Sequence, residues 1–102
     1  MKSKMNKRIE RITRTLESLK DTIKEKYKAE IVGIFGSYVQ GEQKDSSDLD
    51  VLVRFLEDAT LFNLAGLANF LEEKLAVRVD IVPIDTVREE IRENVLKEAV
   101  YL

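Results

Sequence analysis

Two aspartates one residue apart, Asp48 and Asp50, open an apolar run, DLDVLVRF. Aspartate is a poor strand former and is costly to bury without a partner charge. In a strand, residues two apart share a face, so Asp48 and Asp50 project together while Leu49, Val51 and Val53 point the other way. A third carboxylate, Asp80, interrupts a later apolar run, VRVDIVPI, and lies beside the first two if the strands are near neighbours. Three converging carboxylates make a hard, oxygen-rich site of the kind that binds magnesium together with substrate phosphates. A lone D-x-D is common by chance and reads equally as strand-end residues bonded to backbone and solvent; Asp80 inside an apolar run is what that reading leaves unexplained. An EF-hand does not fit, because no glycine stands at the sixth loop position counted from Asp45 or Asp48.

A second constellation precedes the first. Gly36 and Ser37 end the apolar run AEIVGIF. There a following helical turn would aim backbone amides and a hydroxyl at an anion, and glycine would let a phosphate approach the chain closely. The same pair also serves as an ordinary strand-to-helix turn with Ser37 as N-cap. Ten residues separate Ser37 from Asp48. If the two strands run antiparallel, the phosphate cradle and the carboxylates meet at one end of the sheet.

The elements that must position these residues follow from the hydrophobic pattern. Met5, Ile9, Ile12, Leu16, Leu19 and Ile23 recur at spacings of three and four, predicting an amphipathic N-terminal helix over residues 1–28 that packs on its own domain. Strands are predicted over Ala29–Phe35, buried on both faces, over Asp48–Phe55, and over Val77–Ile84 with Pro83 at its end. Thr60 is a cap for a helix whose apolar face is Leu61, Leu64, Ala65, Ala68, Leu71 and Leu75, ending near Ala76. Thr86 and Glu89 form a capping box for a last helix through Ile91, Val95, Leu96 and Ala99. The order predicts an α/β (α+β) fold, a small sheet with helices packed on it.

The 102 residues, 44% hydrophobic and 35% charged, fit one globular domain, with residues 1–28 as N-terminal helix and 29–102 as core. With no cysteine and no histidine, thiolate nucleophiles, Cys/His zinc sites and Ser-His-Asp triads are excluded. The net charge of -2 hides an asymmetry: residues 1–28 carry 10 Lys/Arg against 4 Asp/Glu, net +6, leaving 7 against 15, net -8, for the rest. An acidic body disfavours direct nucleic-acid binding and suits a cation. No apolar run is long enough to span a membrane, and a cytoplasmic location is expected.

The spacing Gly36-Ser37, ten residues, Asp48-Leu49-Asp50, then Asp80 on a later strand, resembles the active-site signature of the polymerase beta-like nucleotidyltransferase superfamily. The similarity is closest to its minimal members, the MNT-type antitoxins of HEPN/MNT toxin-antitoxin pairs, and is carried by GSYVQGEQKDSSDLDVLVRF, LFNLAGLANFLEEKLAVRVDIV and VLKEAVYL. The resemblance implies a mixed sheet and two Mg2+ ions held by Asp48, Asp50 and Asp80. It implies ATP as nucleotide donor, bound through Gly36, Ser37 and position 40, and a tyrosine of a helical HEPN-type toxin as acceptor. Where the family commonly has Ala-Arg, this chain has Val39-Gln40, so Gln40 stands where an arginine would meet phosphate. The competing expectation is a non-catalytic module that neutralises such a partner by binding. A glycosyltransferase using D-x-D does not suit this length. A homo-oligomer is compatible with either reading.

Overall fold

A computed structural model describes residues 7–36, 48–87 and 99–102, together with single positions 89, 93 and 97, which are helical and exposed. The predicted N-terminal helix is two helices, α1 (Lys7–Ser18) and α2 (Lys20–Tyr27). At the break, the Leu19 N–H is shared between the carbonyls of Thr15 (3.2 Å) and Leu16 (3.1 Å), while the Ser18 hydroxyl donates to Thr15 O at 2.7 Å. A hydroxyl competing for a carbonyl in the last turn is a local alternative to the helical ladder. The apolar stripe survives the break, and Ile9, Ile12, Leu16 and Ile23 are all buried. It therefore packs on its own domain, as the pattern predicts.

Lys28 turns the chain from α2 into β1 (Ala29–Phe35) through a left-handed backbone, φ 56° and ψ 47°. That conformation costs a non-glycine residue about 1 kcal/mol. Two contacts offset it: Lys28 Nζ lies 3.2 Å from an Asp58 carboxylate oxygen, and its carbonyl accepts from Leu56 N–H at 2.8 Å.

β1 pairs antiparallel with β2 (Leu49–Phe55), from Ala29 opposite Phe55 to Phe35 opposite Asp50. β2 pairs in parallel with β3 (Val79–Pro83), and a two-residue β4 (Val100–Tyr101) adds to the other side of β1, giving the order β3-β2-β1-β4. The register slips between Ile31 and Gly33, leaving Val32 as the extra residue of a bulge. Because of that slip Ile31 and Ile34, three apart, both face the helices, opposite Val53 and Val51. Gly33 is the residue that lets β4 dock, since a Cβ there would stand 2.5 Å from Val100 O.

Between β2 and β3 runs α3 (Leu61–Leu75). Its first turn is closed by the Thr60 N–H donating to Asn63 Oδ1 at 2.8 Å, so Thr60 is the N-cap as predicted, with Asn63 supplying the acceptor. The buried stripe differs from the predicted one. Leu67 and Leu71 are fully buried and Leu64, Ala68 and Leu75 are half-buried, whereas Leu61 (82% exposed), Phe62 (89%) and Ala65 lie outside it. Leu61 and Phe62 project from the first turn into solvent, while Leu64 in the same turn packs on the core.

The core lies between the three helices and one sheet face, joining Ile9, Leu16, Ile23, Leu67 and Leu71 to Ile31, Ile34, Leu49, Val51, Val53, Val79 and Ile81. The opposite face is only partly covered. On it Leu52 is fully buried and Ile84, in a 3-10 turn (Ile84–Thr86) after β3, nearly so, but Glu30, Val32 and Phe35 are half-exposed. The expectation that β1 is buried on both faces therefore fails. Thr86 ends that turn with its hydroxyl donating to Pro83 O at 2.8 Å, and the core positions predicted for the last helix, Ile91, Val95 and Leu96, lie outside the described residues. Ala99 precedes β4 and is not helical. No helix among the described residues is long and apolar enough to cross a membrane.

Candidate active site

The sheet face turned away from α1, α2 and α3 carries the carboxylates. With Leu49, Val51 and Val53 committed to the core, the two-residue period of β2 places Asp50, Leu52 and Arg54 on the other side. The parallel register sets Asp50 level with Asp80, and Leu49 with Val79, so both facing aspartates project from neighbouring strands about 5 Å apart. The start of β3 is fixed from two sides. Val79 N–H donates to the Glu72 carboxylate of α3 at 3.0 Å, and the Arg78 carbonyl accepts from Leu49 N–H at 2.8 Å.

The electrostatics record the convergence. The Asp50 carboxyl is pushed up from 3.8 to about 6, first by burial, then by the charge of Asp80 and then by that of Asp48. Desolvation and like charge both disfavour the carboxylate form. The charges of both other predicted acidic residues thus bear on Asp50. Asp48, at the edge of the group, has a counter-ion that sequence reasoning missed: Arg78 Nε lies 3.5 Å from Asp48 Oδ1. The signal for it was present, because Arg78 precedes Asp80 by the same two residues that separate Asp48 from Asp50.

Gly36 closes the site from β1. Its φ of +94° belongs to the region that side chains avoid, and a Cβ built on it would collide with the Asp50 carboxylate. The glycine therefore both makes the turn and leaves room for Asp50. This places the C-terminal end of β1 against the carboxylates, the meeting that an antiparallel β1/β2 pair implies. Ser37 and Gln40, predicted to bind phosphate, lie outside the described residues.

Oxygen donors from Asp48, Asp50 and Asp80 suit a hard divalent cation, and an Asp50 carboxyl raised by burial and by neighbouring negative charge is the state that such a cation relieves. Among the described residues no three carboxylates are drawn closely enough to enclose an ion. A groove of about 440 Å3 between α2, β1 and β4, lined by Lys20, Lys24, Glu30, Arg54 and Tyr101 among others, contains none of the three aspartates.

Residues 16–102 match the family model described as a nucleotidyltransferase domain. The chain belongs to that family. It is 38% identical over 94 residues to the protein adenylyltransferase MntA of Thermococcus cleftensis, covering 92% of this chain and 95% of that protein. A Methanocaldococcus jannaschii protein, MJ1217, named as a candidate protein adenylyltransferase, is 32% identical over 97 residues, covering 94% and 99% of the two chains. A solved structure described as a candidate minimal nucleotidyltransferase superposes with a TM-score of 0.70 at 40% identity, covering 87% of this chain and 94% of that one. The mixed four-stranded sheet with its helices is therefore the minimal nucleotidyltransferase fold, and the chain is an enzyme of the nucleotidyltransferase class.

Proposed function

We propose that this nucleotidyltransferase moves AMP from ATP to a hydroxyl of a partner protein in a Mg2+-dependent reaction, with a tyrosine of a HEPN-type toxin as acceptor and the chain serving as its antitoxin. The observation that carries the chemistry is Asp50, level with Asp80 on the adjoining strand and against Gly36, which follows β1. Protein as the acceptor class rests on the name given to the Thermococcus relative, and the toxin on the family resemblance of the motifs. The acidic body, net -8 over residues 29–102, gives no electrostatic support to nucleic acid as acceptor.

In this reading Asp48, Asp50 and Asp80 would hold the metal. Bound there, it would supply charge neutralisation at the entering and leaving oxygens of an in-line displacement. The chain's own residues orient the reactants. Gly36 leaves its backbone open to the phosphates, and β2 and β3 hold the carboxylates on a rigid frame. The acceptor oxygen bonds to the α-phosphorus as the bond to the bridging oxygen of the β-phosphate breaks. Pyrophosphate leaves with that electron pair, and the hydroxyl proton passes to the carboxylate of Asp80, which is exposed on the face.

A binding module that neutralises its partner by occlusion has no use for a carboxylate raised to about 6 by burial and by two acidic neighbours. To test the reading, the chain and the product of its neighbouring gene are incubated with Mg2+ and each α-labelled nucleoside triphosphate. Label on the partner from ATP supports adenylylation. A stable complex without label supports the binding module.

A further inference from the structure

Three carboxylates and a triphosphate are all negative, so a site that joins them needs fixed positive charge as well as metal. Among the described residues most ionic partners of the basic side chains lie at the other end of the sheet or on the helices. Lys24 and Arg54 share Glu30, at 3.5 and 3.7 Å, Lys28 pairs with Asp58, and Lys74 lies over the Phe70 ring. Arg78 is the exception. It lies two residues before Asp80, at the entry to β3, with Nε 3.5 Å from the Asp48 carboxylate and its side chain 73% exposed.

We infer that Arg78 is a nucleotide-positioning residue that neutralises Asp48 while the site is empty and turns to the triphosphate when Mg2+ and ATP arrive. This deepens the reading above and rests on it. Three features support the exchange. An Arg–carboxylate contact through Nε, long for a charge-assisted bond and largely solvated, is weak and easily given up. The Arg78 backbone is fixed, with its carbonyl bonded to Leu49 N–H and its neighbour Val79 bonded to Glu72, so only the side chain has to move. A planar guanidinium offers forked donors suited to phosphate oxygens as well as to a carboxylate.

The inference makes two predictions of opposite sign, which a purely structural residue would not produce. Binding of Mg2+ alone, read by calorimetry, should tighten in Arg78→Gln, because the metal no longer competes with the guanidinium for Asp48. Binding of ATP at saturating Mg2+ should weaken by about tenfold, the loss of one charge-assisted bond, with a shallower salt dependence. Arg78→Lys, which keeps the charge but not the fork, should fall between them. Equal ATP affinity in wild type and Arg78→Gln, or a parallel loss of both Mg2+ and ATP binding, overturns the role of Arg78. Failure of the wild-type chain to bind ATP overturns the adenylyltransferase reading, and the inference with it. Melting temperatures without metal, measured on the same three proteins, separate a folding defect from a binding one.

Discussion

Asp50 on β2 stands level with Asp80 on β3, two carboxylates in one residue pair of a parallel ladder, on the sheet face opposite α1, α2 and α3. The parallel ladder sets them side by side, and the half-burial of Asp50 makes their repulsion count.

Burial of Asp50, together with that repulsion, predicts an unusual pH dependence. The folded-state value of Asp50, about 6, lies above its ordinary 3.8, so the native state binds the extra proton between the two. Stability from this group is full below pH 3.8 and is lost as pH rises to about 6. Above that the ionised carboxyl costs the metal-free protein about 1–2 kcal/mol after allowance for solvent screening. Asp50→Asn should therefore raise the melting temperature in EDTA at pH 7.5, with the gain vanishing toward pH 4. A gain independent of pH would contradict the assignment.

Added Mg2+ should reverse the same penalty. Wild type should gain thermal stability with the ion at pH 7.5 and much less at pH 4.5, where Asp50 is protonated, by mass action on the folded state. Thermal melts at both pH values, with and without Mg2+, test this. A shift of equal size at both would mean that the ion binds elsewhere.

Gly36→Ala should damage the site more than the fold. The left-handed φ of +94° costs an alanine on the order of 1 kcal/mol, while the collision with Asp50 displaces a proposed ligand directly. The expected result is a modest fall in melting temperature with loss of transfer by tenfold or more, about the cost of one misplaced group. Full activity in a folded Gly36→Ala protein would remove Gly36 from the site.

Much of this arrangement is legible in the sequence because it depends on a period of two. Asp48 and Asp50 share a face in any strand, and Asp80 joins them once the neighbours are β2 and β3. What the pattern does not carry are features that interrupt a period. The break at Leu19 leaves the apolar stripe intact, so periodicity alone draws one helix through it. The bulge at Val32 changes which residues of β1 face the core, and its signal was a single internal glycine, Gly33, whose missing side chain also admits β4. Leu61 fits the helical stripe of α3 yet is exposed, because a stripe predicts a face and says nothing of how far the core extends along it. Ser37 and Gln40 lie outside the described residues, and their place at the site rests on the motif.

Deleting residues 1–27 should remove Ile9, Ile12, Leu16 and Ile23 from the core and expose Leu67, Leu71 and the helix-facing side of β1. The truncated chain should associate in solution, and the milder Leu16→Ala should cost about 3 kcal/mol in urea unfolding. A truncated chain that remains monomeric and equally stable would show that α1 and α2 are dispensable to the fold.

The central claim is that the Asp48, Asp50 and Asp80 face transfers a nucleoside monophosphate. Its most direct test is the intact mass of the partner protein after incubation with this chain, Mg2+ and ATP, run beside Asp50→Asn and paired with α- and γ-labelled ATP. The account predicts a mass increase of one or more AMP units, label retained from the α-phosphate and released from the γ-phosphate as pyrophosphate, and none of these with Asp50→Asn. Retention of γ-label, or an unchanged partner mass in a stable complex, would contradict it.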